Sequence, residues 1–216
     1  MKFKKNATTV KNILTLNYNG EKIMKIILAS KSPRRKELLS MMGVDFDIMV
    51  SNQDEVISKD TPIIDVPKLL AEQKAQNIFN QTNGDRTIIG SDTIVTLNNV
   101  IYGKPNKDVT AYKMLKDLSG KTHKVITGLC VLIEKNGNIK KYSKSIVTLV
   151  KFKKLSDDEI NYYISTHEPD DKAGAYGLQG IAGMFIEKIN GNMASVIGLP
   201  TCDLYKILRK EHLLNF

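Results

Sequence analysis

The sequence predicts an α/β fold in which helices flank a mixed, twisted β-sheet. From Met24 onwards, short apolar runs alternate with amphipathic stretches of helical period, as expected for alternating strands and helices. In the second half, two long β-rich runs are joined by Asn136-Gly137, a strong signal for an antiparallel hairpin. The alternation and the hairpin together indicate a sheet that contains strands of both orientations.

Each element follows from a local pattern. Strands are expected where apolar residues run together or alternate: 25–29, 44–50 with Val44, Phe46, Ile48 and Val50 on one face, 87–90, 94–102 as a hairpin turning at Asn98-Asn99, 125–134, 139–152, and 185–196 as a hairpin turning at Asn190-Gly191. Helices are expected at 33–42, 65–80, 108–118, 156–164 and from Pro200 to about 213. Ser156 and Glu159 form a capping box. The predicted core stripe of the second helix is Leu69, Leu70, Ala75, Ile78 and Phe79.

Composition limits the class of protein. With 216 residues and 42% hydrophobic content, the chain can bury the core of one domain. No apolar run approaches the length of a membrane span, so no membrane partner is expected. The two cysteines, Cys130 and Cys202, are far apart and suggest no disulfide framework, which makes a reducing cytoplasm the expected location.

Roughly half of the formal net charge of +9 lies in a short stretch at the start of the chain. Residues 1–24 carry five lysines and one glutamate, so +4 lies there and +5 remains elsewhere. That remainder suits a small anionic ligand and does not require nucleic acid, although a nucleic-acid-binding protein stays open on charge alone. Residues 1–23 lack sustained periodicity, and we expect them to lie outside a folded domain of residues 24–216. Two explanations are open for them: Met24 is the true start, or they form a short flexible or helical arm.

The segment Ser30–Leu39 is the first candidate for chemistry. It follows an apolar strand, and Ser32 followed by Pro33 is typical of a helix N-terminus. Arg34 and Arg35 would then lie beside free backbone N–H groups and the positive end of the helix dipole. That position is unfavourable for cations alone, but it suits a polyphosphate, which amides, hydroxyls and guanidinium groups can all bind. Two solvated arginines are the alternative.

Three charged residues elsewhere are compatible with the same ligand. Asp92 comes where the apolar strand 87–90 ends, a position typical of a general base or metal ligand and equally of a turn cap. Glu55, in a polar loop, could supply a second carboxylate for a divalent ion. Lys104 stands between a glycine and a proline and could steer a phosphate. For Glu55 and Lys104, a solvated loop charge is the alternative.

A glycine-rich segment, residues 167–183, is a further candidate ligand site. Its glycines permit close approach of the backbone to a ligand. Lys172 adds a cation, Tyr176 an aromatic face, and Gln179 an amide that can both donate and accept, as base recognition requires. A purely structural loop is the alternative. The three histidines show no metal-ligand spacing, and the sequence has no P-loop motif.

Taken together, these segments resemble the Maf family of nucleoside triphosphate pyrophosphatases. The two most specific blocks are Ser-x-Ser-Pro-Arg-Arg and Asp-Lys-Ala-Gly-Ala-Tyr-Gly. The matching segments occur in the family's order from Met24 to the C-terminus: 28–39, 54–55, 90–95, 103–105, 127–129, 168–180 and 198–200. Two features depart from the family pattern, namely Ser91, where many members have alanine, and residues 1–23, which the family lacks.

The resemblance implies a fold similar to that of inosine triphosphate pyrophosphatases, with two lobes around a central cleft, and a homodimer. It implies hydrolysis of a pyrimidine nucleoside triphosphate, dTTP or UTP, to the monophosphate and pyrophosphate with Mg²⁺ or Mn²⁺. It makes Asp92 the proton acceptor and ties Arg34, Thr93 and Gln179 to substrate choice. With the residues discussed above, the expected substrate-binding set is Ser30, Ser32, Arg34, Arg35, Thr93, Lys104, Lys172 and Gln179, and the expected metal ligands are Glu55 and Asp92. A nucleotide-binding regulator of cell division or septum formation, without turnover, is the alternative.

Overall fold

The computed structural model describes residues 24–51 and 53–214, so the expected leader, residues 1–23, lies outside the described residues. Those ranges form a seven-stranded mixed sheet flanked by helices, which confirms the predicted fold class. The strands are β1 (Lys25–Leu28), β2 (Asp47–Ile48), β3 (Arg86–Leu97), β4 (Val100–Tyr102), β5 (Thr122–Lys135), β6 (Asn138–Phe152) and β7 (Ile186–Asn190). The helices are α1 (Pro33–Ser40), α2 (Val66–Phe79), α3 (Asp108–Leu118), α4 (Asp157–Ser165), α5 (Met193–Ile197) and α6 (Thr201–Lys210). Within the described ranges, no helix is long and apolar enough to cross a membrane.

The strand order is β2-β1-β3-β5-β6-β7, with β4 beside β3. Strand β1 is parallel to both β2 and β3, whereas the remaining pairs are antiparallel. One edge of β3 is shared by two short strands: β1 pairs with Arg86–Ile89 and β4 with Val95–Leu97. Between them, residues 90–94 have no described strand on that side, although β5 covers their other edge.

Apolar side chains alternate across the sheet and pack against different helices on its two faces. In β1, Ile26 and Leu28 contact the cluster formed with α1 and α6, whereas Ile27 packs in a cluster with α2. A further cluster joins α3 and α4 to the other end of the sheet, through Val125 of β5 and Phe152 of β6. Because β5 and β6 are long enough to pass through both ends, they hold the two packed regions together.

Several local predictions are confirmed. Both asparagine turns adopt the left-handed conformation that tight hairpins need, with φ of 51° and 62° at Asn98 and Asn99 and 52° at Asn136. The capping box is present, because Ser156 Oγ accepts from the Glu159 amide at 3.2 Å and the Glu159 carboxylate accepts from the Ser156 amide at 2.9 Å.

Other predictions are wrong. The strand expected at 44–50 reduces to Asp47–Ile48, and Ile48 and Val50 are exposed, because this edge segment pairs only with the end of β1. The last hairpin does not form: β7 pairs with β6, and Asn192 then caps α5 by accepting from the Ser195 amide at 3.0 Å.

Two helices differ from expectation in detail. Helix α6 ends at Lys210, before the predicted 213. The buried face of α2 also differs from the predicted stripe, because Leu69, Leu70 and Phe79 are only half-buried. Small or branched side chains make the closest approach to the sheet instead. The buried set of α2 is Val66, Pro67, Ala71, Ala75 and Ile78.

Candidate functional site

One cavity of about 750 Å³ is lined by residues from eight separate segments of the chain. It brings together residues that are distant in sequence, including the arginines of α1 and the carboxylate of Asp92. All of the sequence-predicted site residues line it: Ser30, Ser32, Arg34, Arg35, Glu55, Asp92, Thr93, Lys104, Lys172 and Gln179. The size of the cavity is in the range of small-molecule sites.

The cavity lies where β3 lacks a neighbouring strand. Asp92 was expected at a strand end, and this expectation is wrong, because β3 continues unbroken to Leu97. Asp92 is nevertheless accessible, since β1 ends at Leu28, before it reaches residues 90–94. The gap between β1 and β4 thus exposes the middle of a strand that β5 holds rigidly on its other side.

Arg35 is fixed by the backbone and by a serine hydroxyl at the start of α1. Its Nε donates to the Gly198 carbonyl at 2.9 Å and its Nη1 donates to Ser30 Oγ at 3.2 Å. The same hydroxyl accepts from the Ser32 amide at 3.2 Å, so Ser32 occupies the N-cap position without the side-chain cap bond that was expected. Burial lowers the pKa of Arg35 from its ordinary value, opposed by the charge of Asp92. A desolvated guanidinium at the cavity wall is a strong attractor for an anion.

Asp171 links two of the predicted phosphate-binding cations. Its Oδ2 lies 3.1 Å from Arg34 Nη1, and its Oδ1 lies 2.9 Å from Lys172 Nζ. Burial would raise the pKa of the Asp171 carboxyl, but the hydrogen bonds from Lys172 and Arg34 hold it below its usual value. Because its side chain is 58% exposed, a more highly charged ligand can compete for both cations.

The Lys74 ammonium joins the two predicted metal-binding carboxylates. It lies 3.2 Å from Glu55 Oε1 and forms a short ion pair with Asp92 Oδ1. Both carboxylates therefore contact a single cation, although no group of three acidic, histidine or cysteine side chains that could hold a metal occurs in the described ranges. Two hard oxygen donors fit a divalent ion whose remaining ligands come from water and phosphate.

The glycine-rich segment is held in an unusual backbone conformation. Both Gly174 and Ala175 have left-handed dihedrals, with φ of 69° and 59°, and the Gly174 amide donates to the Gly103 carbonyl at 2.9 Å. The Tyr176 hydroxyl lies 2.7 Å from His123 Nε2, which anchors the following residue. Gln179 is exposed, and its amide is 3.5 Å from the nearest carboxylate, so it is available to a ligand.

A family model described as "Maf-like protein" matches residues 25–211. This chain belongs to the Maf-like protein family. A dTTP/UTP pyrophosphatase of Clostridium novyi is 48% identical over 185 residues, covering 85% of this chain and 96% of the relative. Another dTTP/UTP pyrophosphatase, from Alkaliphilus oremlandii, is 47% identical over 88% of this chain and 97% of the relative. The protein of that name from Aquifex aeolicus is 43% identical, with coverage of 88% and 97%.

A solved Mycobacterium abscessus structure, titled nucleoside-triphosphatase / dITP/XTP pyrophosphatase, aligns with 61% of this Maf-like chain and 76% of its own. The TM-score is 0.39 and the identity 14%. The resemblance to the Maf family seen in the sequence is confirmed by the family match and by the relatives.

Sequence reasoning missed Lys74 in this Maf-like site. A signal was present, because Lys74 recurs at helical spacing with the buried residues Ala71 and Ile78, and an unpaired lysine rarely occupies a buried helix face. The paired carboxylates explain its position. Gly198 was part of a matched block, but no pattern in the sequence indicated that its carbonyl would accept from both Arg35 and the Ser91 hydroxyl.

Proposed function

We propose that this chain hydrolyses dTTP and UTP to the corresponding monophosphate and pyrophosphate. The observation that carries the proposal is the convergence of the four predicted phosphate-binding cations and the two predicted metal-binding carboxylates on one nucleotide-sized cavity. The names of relatives that are 43–48% identical over most of both chains support pyrimidine triphosphates as the substrate class. The cationic residues are Arg34, Arg35, Lys104 and Lys172.

In this proposal, the cations bind and orient the triphosphate. Arg35 is already fixed by Gly198 and Ser30, so little conformational freedom is lost when a phosphate binds it. Arg34 and Lys172 exchange the Asp171 carboxylate for phosphate oxygens, which carry more charge. Positioning and charge neutralisation are the main requirements of phosphoryl transfer, and both are met by groups that are in place before the substrate arrives.

Glu55 and Asp92 would hold the divalent ion, Mg²⁺ or Mn²⁺. Their shared contact with Lys74 supports this assignment, because both carboxylates already lie next to one positively charged group. Such an ion, when bound, offsets the negative charge of the phosphate oxygens.

Asp92 would accept the proton of the water that attacks the α-phosphorus, and pyrophosphate would leave with its electron pair on the bridging oxygen. Its carboxylate is anchored on the rigid middle of β3 and held at Oδ1 by Lys74, which fixes its orientation. Asp92 is the only predicted proton acceptor, so its removal is the sharpest test of the mechanism.

Asp92→Asn keeps the shape of the side chain and removes the base, so turnover of dTTP and UTP should fall by about 10²-fold or more. The matched control is Asp54→Asn, since Asp54 is an exposed loop carboxylate and is not among the residues that line the cavity. Pyrophosphate release, coupled to inorganic pyrophosphatase, measures both. Near wild-type turnover of Asp92→Asn would remove Asp92 from this role, and no pyrophosphate release by the wild type would favour a binding-only regulator.

We also propose that the protein acts as a homodimer in the cytoplasm, on a nucleotide and not on nucleic acid. Sedimentation analysis of the full chain tests the oligomeric state, and a single species with the mass of one chain would contradict it. Fluorescence titration with duplex DNA at low and high salt tests the nucleic-acid alternative, which predicts strongly salt-dependent binding.

A further inference from the structure

Thr93 lies on the face of β3 opposite to Asp92, where apolar residues and Arg35 both line the cavity. Side chains alternate along β3, so Thr93 shares a sheet face with Val95, whereas Asp92 points to the face that α2 covers. Val95 packs in the cluster that contains Val125 and Tyr176, and all three line the cavity. The nucleobase is the least polar part of a nucleotide, so this wall suits it, with the Thr93 hydroxyl as a polar group at its edge.

The direction of the hydrogen bond made by Thr93 is fixed by the residue behind it. Thr93 and Thr127 face each other across the β3–β5 ladder, with their Oγ1 atoms 3.0 Å apart. Thr127 is fully buried, and its Oγ1 lies 2.7 Å from the carbonyl oxygen of Ser195. A carbonyl can only accept, so the single hydroxyl proton of Thr127 is used there.

Thr93 must therefore donate its own proton to Thr127, because otherwise two oxygen lone pairs would face each other and a hydrogen bond would be lost. The Thr93 hydroxyl then presents only lone pairs to the cavity, and it can accept from a ligand but not donate to it. A ligand atom at this point is favoured if it carries a proton and disfavoured if it is an acceptor.

We propose that Thr127 holds the Thr93 hydroxyl as an obligate acceptor and thereby selects pyrimidines with an N3–H donor, which are uracil and thymine. Cytosine has an unprotonated acceptor at N3, so it meets the same hydroxyl with two acceptors facing each other. Thr127 is thus a positioning residue that acts through Thr93. This inference rests on the proposed function, because it assigns base discrimination to the same cavity.

The test compares UTP with CTP in wild type and three variants. The wild type should favour UTP over CTP by about 10- to 100-fold in kcat/KM, as expected for one mismatched hydrogen bond in a buried site. Thr127→Val frees the Thr93 proton to turn towards the ligand, and the UTP:CTP ratio should fall by at least about fivefold, mainly through better use of CTP. Thr127→Ser keeps the hydroxyl and should restore the wild-type ratio.

Thr148→Val is the control for structural damage. Thr148 is as completely buried as Thr127, and its hydroxyl lies 2.9 Å from Ser195 Oγ, so its loss disturbs the same segment. The Thr148 hydroxyl forms hydrogen bonds with Ser195 and Asn192 and none with Thr93, and therefore the UTP:CTP ratio should stay at the wild-type value even if stability falls.

A substrate analogue gives an independent readout without any variant. The triphosphate of 3-methyluridine has no N3–H, and the wild type should use it at least about tenfold less well than UTP. An unchanged UTP:CTP ratio in Thr127→Val, or equal use of UTP and the methylated analogue, would overturn the inference. Those outcomes leave the proposed function standing, whereas absence of wild-type UTP hydrolysis would refute the proposed function itself.

Discussion

Mild acidification should destabilise the protein through His123. The imidazole is 1% exposed, its Nε2 lies 2.7 Å from the Tyr176 hydroxyl, and its ring meets the edge of Phe152. Its Nδ1 has no hydrogen-bond partner among the described residues. Burial therefore disfavours the charged form and lowers the pKa of His123 from 6.5 to about 4.

The sign and size of the effect follow from proton linkage. Between pH 6.5 and about pH 4, His123 is protonated in the unfolded chain but stays neutral in the folded protein. The free energy of unfolding falls across this window by about 1.4 kcal/mol per pH unit. The free energy of unfolding is lower by about 2 kcal/mol at pH 5 and by about 3 kcal/mol over the whole window. At neutral pH this loss is absent, because His123 is neutral in both states.

Urea denaturation of wild type and His123→Phe at pH 7.5 and pH 5 measures the effect. Acidification should lower the free energy of unfolding of the wild type by about 2 kcal/mol more than that of the variant, because phenylalanine keeps an apolar ring and cannot titrate. Tyr176→Phe is the matched control, since it removes the hydrogen bond and keeps the burial of His123, so its pH dependence should match that of the wild type. Equal losses in wild type and His123→Phe would refute the reasoning.

Two further changes test the site and the packing. Asp171→Asn should tighten binding of inorganic pyrophosphate by about three- to tenfold, because it frees the Arg34 and Lys172 side chains from their ion pairs. Asp170→Asn is the control and should change this binding little, because Asp170 pairs with His167 and not with either cation. Calorimetric titration measures both, and weaker binding to Asp171→Asn would contradict this. Gly128→Ala should cost about 1–3 kcal/mol of unfolding free energy, because its Cβ would lie 2.0 Å from the Pro67 carbonyl oxygen. Gly103→Ala, with open space around it, should cost less than about 0.5 kcal/mol in the same urea experiment, and equal costs would argue against the packing explanation.

Local chemistry explains the predictions that succeeded. The Asn98-Asn99 and Asn136-Gly137 turns form because these residues tolerate positive φ, and that preference acts within a few residues. The same signal at Asn190-Gly191 predicted a hairpin that does not form, because Asn192, two residues after Asn190, also favours the start of a helix. Which of two local preferences prevails is decided by packing, here by the placement of Ser195 against β5 and β6.

The candidate site divides in the same way. Ten of the residues that line the cavity were identifiable from their types and order, because phosphate and metal binding require cations and carboxylates. Their pairing was not identifiable, since Lys74 meets Asp92 across 18 positions and Asp171 meets Arg34 across 137. Contacts at such separations depend on strand register and helix placement, which no short pattern encodes.

The sequence by itself therefore determined the α/β class, the tight turns and the set of polar residues available to a nucleotide, because each depends on local propensity or on side-chain chemistry. The tertiary structure alone decided that Asp92 faces a cavity from the middle of β3, through the gap left between β1 and β4. It alone also set the direction of the Thr93–Thr127 hydrogen bond, because that direction depends on a carbonyl 68 residues from Thr127.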